Sequence, residues 1–154
     1  MTILDIWAKW YDAFEACAAD DQWDRLRPFL TEDAQYRVAG VPFACTVKGA
    51  DTIIAGFARS FAGFDRKFDR RTHMVVGTRL HEPNLLEMDI WGIYEKAGLP
   101  KLAFPALGQV HVDGERIGLM VDIYDATRLE AAAALQWMGM HGLAVGGLDP
   151  RYAA

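Results

Sequence analysis

Two carboxylates and one imidazole stand where such groups are unfavourable unless they are used. In GLMVDIYD, Gly118 to Asp125, Asp122 lies between Met120 and Tyr124, while Leu119, Val121 and Ile123 alternate to the other side. An ionised group inside an apolar strand needs a partner or a task. In LLEMDIWGIY, Asp89 shares a side with Glu87 and Trp91. His73 opens a third apolar run, within RRTHMVVGTRL. Two neighbouring carboxylates in one apolar hollow resist joint ionisation. One pKa rises, leaving an acid and a base side by side at neutral pH. Such a pair suits proton removal beside a carbonyl and later reprotonation, the chemistry of aldol cyclisation, isomerisation and dehydration. Asp122 is read as the base, Asp89 as the acid, and His73 and Tyr36 as polar contacts. Trp91, Met120, Tyr124 and Leu107 would flank a small hydrophobic, ring-sized substrate, with Tyr11 reaching in from the first helix.

These residues need a scaffold. Leu4, Trp7, Tyr11, Phe14 and Ala18 recur at helical spacing, predicting an amphipathic helix near residues 3–19. Asp20 or Asp21 can cap a short second helix carrying Trp23, Leu26 and Leu30. Short strands follow over Ala34 to Val38 and Pro42 to Val47, and Gly49-Ala50-Asp51 opens a helix that buries Ile53, Ile54, Phe57 and Phe61. FDRKFDRR is a polar link. Strands are expected over Thr72 to Leu80, Leu85 to Tyr94, Lys101 to Val112 and Arg116 to Tyr124. His81-Glu82-Pro83-Asn84 and Lys96-Ala97-Gly98 make turns, and Asp113-Gly114 reads as a two-residue hairpin loop. A closing helix from Ala126 to about Gly139 leads into a Gly-rich tail. Helices followed by strands paired in sequence order make an α+β domain, a single one over residues 1–154.

With Asp113 and Gly114 in the loop, Gln109 faces Gly118, Leu107 faces Met120 and Pro105 faces Asp122. The acids at 89 and 122 are then expected together on the helix-covered face. The other face, with Leu86, Met88, Ile90, Leu119, Val121 and Ile123, is apolar, whereas an uncovered sheet normally turns polar groups to water. A homodimer packed through that outer face is therefore expected.

Composition narrows the classes. The chain has 154 residues, 52% of them hydrophobic, with five Trp, five Tyr and eight Phe, enough for a core and an aromatic-lined hollow. A net charge of −5 argues against nucleic acid. The one basic cluster, Arg66, Lys67, Arg70 and Arg71, is read as a solvated loop. Cys17 and Cys45, with four scattered histidines, offer no metal-ligand spacing and fit a reducing cytoplasm. His81 and His141 fall in a turn and the tail, and His111 beside a turn. No apolar run is long enough to span a membrane, and MTILDIWAKW lacks the pattern of a signal peptide. The chemistry outlined requires no metal or organic cofactor.

The element order, together with WAKWYDAF, DQWDRLRPFLTEDAQY, KGADTIIAGF and the final strand GERIGLMVDIYD, resembles the nuclear transport factor 2-like superfamily. It is most similar to the SnoaL-like polyketide cyclases and the limonene epoxide hydrolases. The resemblance covers most of the chain. It implies a cystatin-like cone: a curved, mixed but mostly antiparallel sheet wrapped around three N-terminal helices, plus a C-terminal helix. In the cyclases an Asp matching Asp122 removes a proton from carbon; in the epoxide hydrolases it activates a water. Asp89 matches the epoxide hydrolases' acid, but Glu87 stands where their Arg would be. Tyr36 matches their Tyr, and Val38 replaces their Asn. Scytalone dehydratase and its relatives use an Asp–His pair; His73 matches that His, and Asp20 lies near the position of that Asp. The resemblance thus implies a cofactor-independent acid/base enzyme, with epoxide hydrolysis or non-catalytic ligand binding or dimerisation as alternatives.

Overall fold

The computed structural model describes residues 1–40, 44–81 and 83–148. A reciprocal capping box starts the first helix. Thr2 Oγ1 accepts from the Asp5 N–H at 3.2 Å, and Asp5 Oδ2 accepts from the Thr2 N–H at 2.9 Å. Helix α1 (Ile3–Asp20) buries Ile3, Ile6, Trp10, Ala13 and Cys17. That stripe lies one residue round from the expected one. Leu4 is exposed, whereas Trp7, Tyr11 and Phe14 form a half-buried shoulder against the core. A 3-10 helix (Trp23–Phe29) follows, interrupted at its end by Pro28, which has no N–H to donate. Leu30, expected in that helix, instead opens strand β1 (Leu30–Ala39).

Strand β2 (Cys45–Lys48) leads into helix α2 (Ala50–Gly63). Pro42 and Phe43, expected to begin β2, lie outside the described residues, as does Glu82 in the turn after β3. The remaining elements are β3 (Arg70–His81), β4 (Leu85–Glu95), β5 (Leu102–Asp113), β6 (Arg116–Ile123) and α3 (Leu129–His141). The segment after α3, read as a Gly-rich tail, is anchored as far as it is described. A 3-10 turn buries Val145, and Lys67 Nζ donates to the carbonyls of Gly146 and Gly147. Residues 149–154 lie outside the described residues.

One six-stranded sheet runs in the order β2-β1-β6-β5-β4-β3. β1 and β6 are parallel, and every other pair is antiparallel. The parallel contact sets Tyr36 beside Met120 and Val38 beside Asp122. At its end Gly40 (φ 91°) passes so close to Tyr124 that a Cβ would sit 2.0 Å from the Tyr124 carbonyl oxygen, so only glycine fits.

The β5–β6 hairpin differs from expectation in two ways. Asp113 pairs with Arg116, so the two loop residues are Gly114 and Glu115; Gly114 (φ 61°) takes the first loop position, where a type II′ turn wants glycine. One residue further, Gly118 bulges: Val112 pairs with Ile117, but His111 pairs with Leu119. The moved loop alone would leave the faces unchanged. The bulge reverses them, and Asp122 pairs with Gly108 rather than Pro105.

The inner face of the sheet therefore carries Leu86, Met88, Ile90, Ala106, Gly108, Val110, Met120 and Asp122. Leu86, Met88 and Ile90, expected on a dimer surface, are 0%, 1% and 6% exposed, packed in the core with α1 and α2. Leu119, Val121 and Ile123 are opposite them, on the outer face. A second apolar cluster, with Phe64, Phe68, Phe104 and Trp137, joins α3 to the sheet, and Trp137 Nε1 donates to the Pro100 carbonyl at 2.8 Å.

Candidate active site

Between α1, α2 and the inner face of the sheet lies a cavity of about 150 Å³. Asp122 stands in its wall. Its Oδ2 accepts from the Tyr36 hydroxyl at 2.6 Å, a short, charge-assisted bond brought about by the parallel β1–β6 contact. Its Oδ1 accepts no hydrogen bond from the described residues and is open to the hollow. Gly108, its ladder partner, leaves room for Ile90: a Cβ there would sit 2.5 Å from Ile90 Cδ1, and 3.7 Å from Asp122 Oδ1. Among the described residues no cation pairs with Asp122. Burial pushes its carboxyl above the ordinary range, and the Tyr36 bond partly offsets this. Desolvation, with the Asp122 charge second, holds the Tyr36 hydroxyl protonated well past its usual range. Tyr36 is thus a fixed donor to the carboxylate.

His73 also lines the cavity. Its ring stacks on Tyr11 with centroids 6.0 Å apart, and its Nδ1 is buried with no hydrogen-bond partner among the described residues. Burial, reinforced by the nearby Arg71 charge, lowers its pKa to about 4, so the imidazole is neutral at physiological pH. Tyr11, Met120 and Tyr124 complete the set of expected residues that meet here. Burial, with the charges of Asp122 and Asp65 next, raises the Tyr124 pKa above its ordinary value.

Asp89, Trp91 and Leu107 do not meet there. β4 alternation places Asp89 and Trp91 on the outer face, where Asp89 pairs in the ladder with Leu107. Asp89 Oδ2 accepts from Arg79 Nη1 at 3.1 Å, Glu87 from Arg79 Nε at 2.8 Å and from Gln109, and the Arg128 guanidinium lies over the Trp91 ring. The expected Asp122–Asp89 pair is thus split across the sheet. Asp20 is also distant from any role with His73; it is exposed, paired with Arg25 at 2.7 Å.

A second carboxyl does approach the hollow, from the segment read as a polar link. Asp65 Oδ1 takes Arg71 Nε at 2.9 Å and the Tyr94 hydroxyl at 3.2 Å, while Arg71 Nη1 reaches Glu15 at 3.0 Å. The Arg71 guanidinium also lies over the rings of Phe14 and Phe61. This arginine, expected in a solvated loop, is only 12% exposed. Asp65 borders a further lobe of about 100 Å³ that shares Tyr36, Phe57, Ser60 and Tyr124 with the first. Burial outweighs Arg71 and Tyr94 and raises its pKa to about 6. Alternation along a strand cannot reveal Asp65, which sits in a 3-10 turn, nor distinguish Arg71 from its three basic neighbours. Among the described residues no group of three or more His, Cys, Asp and Glu is placed to hold a metal ion, and no helix is long and apolar enough to cross a membrane.

No protein-family model matches the chain, and no curated protein does. Solved structures do. An LEH-like epoxide hydrolase from M. tuberculosis aligns with TM-score 0.58 at 17% identity, over 89% of this chain and 93% of its own. A Catenulispora acidiphila protein described by its ketosteroid isomerase-like fold, solved with trimethylamine, aligns with TM-score 0.58 at 17% identity, over 92% and 95%. A Jannaschia protein assigned to the SnoaL-like polyketide cyclases aligns with TM-score 0.63 at 16% identity, over 86% and 91%. At such identities the likeness is one of fold.

Proposed function

On a chain with the nuclear transport factor 2-like fold, we propose a cofactor-independent general acid/base enzyme acting on a small hydrophobic molecule, of the cyclase, isomerase or dehydratase type. The observation that carries this reading is the Asp122 carboxyl: one oxygen held by Tyr36 at 2.6 Å, the other open to a mostly apolar hollow, with no cation paired to it among the described residues. A desolvated carboxylate is a stronger base than one in water, and the Tyr36 hydroxyl fixes its direction. Asp122 Oδ1 takes a proton from carbon beside a carbonyl, and the electron pair moves onto the carbonyl oxygen. The same carboxyl, now protonated, returns the proton to carbon. His73 serves as a neutral polar contact, and Met120, Tyr124 and Tyr11 hold the substrate against the base. The hydrolytic alternative loses support because Asp89 lies across the sheet from Asp122.

A nitrobenzisoxazole tests this directly. Removal of its ring C–H proton by a carboxylate breaks the N–O bond and releases a coloured cyanophenolate. Asp122→Asn should slow the ring opening at least ~100-fold while the circular dichroism spectrum is unchanged. A variant as fast as the unmodified protein, or an unmodified protein no faster than acetate in solution, rejects the assignment. We place a homodimer interface on the outer face, where Trp91, Leu107, Leu119, Val121 and Ile123 are only partly covered. Light scattering that returns a monomer at micromolar concentration rejects this. The unpaired thiols of Cys17 and Cys45 support a reducing, cytoplasmic setting.

A further inference from the structure

The hollow has two lobes, each with one carboxyl in its wall: Asp122 in the first and Asp65 in the second. The Asp65 lobe is otherwise mostly apolar, with Val38, Val47, Ile53 and Phe64. Oδ1 of Asp65 accepts from the Tyr94 hydroxyl and pairs with the Arg71 guanidinium. Among the described residues Oδ2 accepts from no side chain, and the carboxyl's remaining donor is its own backbone N–H. A carboxylate oxygen in such surroundings is best satisfied by a donor that arrives with the ligand. Arg71, shared with Glu15, already sets one cation against Asp65 and would repel a second, so the fitting donor is an uncharged hydroxyl rather than an ammonium group. Size agrees. An apolar cavity of about 150 Å³ admits one benzene-sized ring, and the lobes measure about 150 and 100 Å³.

We propose that Asp65 Oδ2 is a hydroxyl-recognition point, and that the substrate is a two-ring hydrophobic molecule bearing a hydroxyl on the ring remote from the reacting carbon. This rests on the first lobe, with Asp122, being the reacting end. Four groups on other elements face Asp65: Arg71 from β3, Tyr94 from β4, Glu15 from α1 and Tyr124 just past β6. Arg71 favours its ionised form, and Glu15 opposes it. With a pKa of about 6 the carboxyl is ionised in mildly alkaline buffer and protonated in mild acid.

Equilibrium dialysis with naphthalene and 2-naphthol tests the proposal without any turnover. At about pH 8 the unmodified protein should bind the naphthol roughly tenfold more tightly, the gain expected from one charge-assisted hydrogen bond. Asp65→Asn should reduce that ratio to roughly threefold or less, whereas Asp122→Asn should leave it near tenfold. Unchanged naphthalene affinity shows that the lobe survives the substitution. Should Asp65→Asn misfold, Asp122→Asn decides in its place: its ratio must still fall on moving to about pH 4.5, where the Asp65 carboxyl carries a proton. The proposal is overturned by an absent preference, by a preference that vanishes in Asp122→Asn but persists in Asp65→Asn, by a ratio unchanged in acid, or by a naphthylmethylammonium that outbinds the naphthol. None of these results alters the Asp122-dependent opening of nitrobenzisoxazole, so the two readings fail separately.

Discussion

His73→Phe isolates the electrostatics of the cavity wall. The imidazole stacks on Tyr11 at 17° between the planes, its Nδ1 has no partner among the described residues, and burial lowers its pKa from 6.5 to about 4. In the unfolded chain the ring takes up a proton near the ordinary value, while the folded protein resists until far lower pH. The unfolded state therefore binds more protons throughout that interval, and folding weakens as pH drops. The contribution is complete above about 6.5 and lost by about 4. At about 1.36 kcal/mol per pKa unit it amounts to roughly 3 kcal/mol. Asp65 acts in the opposite sense. Its carboxyl is raised from 3.8 to about 6, so its protonation steadies the fold as pH falls over nearly the same interval. The two effects oppose each other in the unmodified protein. Phenylalanine keeps the stacked ring, gives up no hydrogen bond at Nδ1 and cannot be charged. The assay is urea unfolding of both proteins at about pH 7.5 and 4.5. At the higher pH the variant should match the unmodified protein or exceed it by up to about 1 kcal/mol, the relief of an unsatisfied buried group. At the lower pH its advantage should grow by about 2–3 kcal/mol, since Asp65 contributes equally to both and drops out of the difference. Parallel curves for the two proteins would refute the reasoning, as would a proton NMR titration placing His73 near 6.5.

Tyr36→Phe removes the one hydrogen bond that holds the Asp122 pKa down against burial. In the nitrobenzisoxazole assay, the acid limb of the rate profile should move up by roughly one to two pH units, with activity retained at alkaline pH; an unmoved limb denies the bond its effect. Arg71→Met leaves Asp65 and Glu15 without their shared cation. Stripping one partner from a buried pair should lower stability by about 3–5 kcal/mol in denaturant unfolding at neutral pH, and a change below about 1 kcal/mol would show the cluster to be solvated.

Periodicity in the chain was enough to specify the elements. Helix α1, α2 and the four-strand meander fall within a few residues of where apolar spacing and turn residues place them, though the last hairpin loop and the buried stripe of α1 are each shifted by one residue. Asp122 shares a face with Met120 and Tyr124 as alternation within one strand demands. Alternation is local, so it survives without knowledge of neighbours. Which strand faces belong together is not local. One extra residue, Gly118, reverses the pairing of β6 against β5, sending Asp89 and Trp91 to the outside and drawing Met88 and Ile90 inward with Asp122. A glycine in a strand hints at a bulge but does not reveal whether one forms. The Tyr36–Asp122 bond depends on parallel contact between the first and last strands, 86 residues apart, and Asp65 depends on a 3-10 turn folding back beneath Arg71 and Tyr94. Those juxtapositions arise from packing across the whole chain. Local spacing therefore set the repertoire of chemical groups, and tertiary contact alone decided which of them share a cavity.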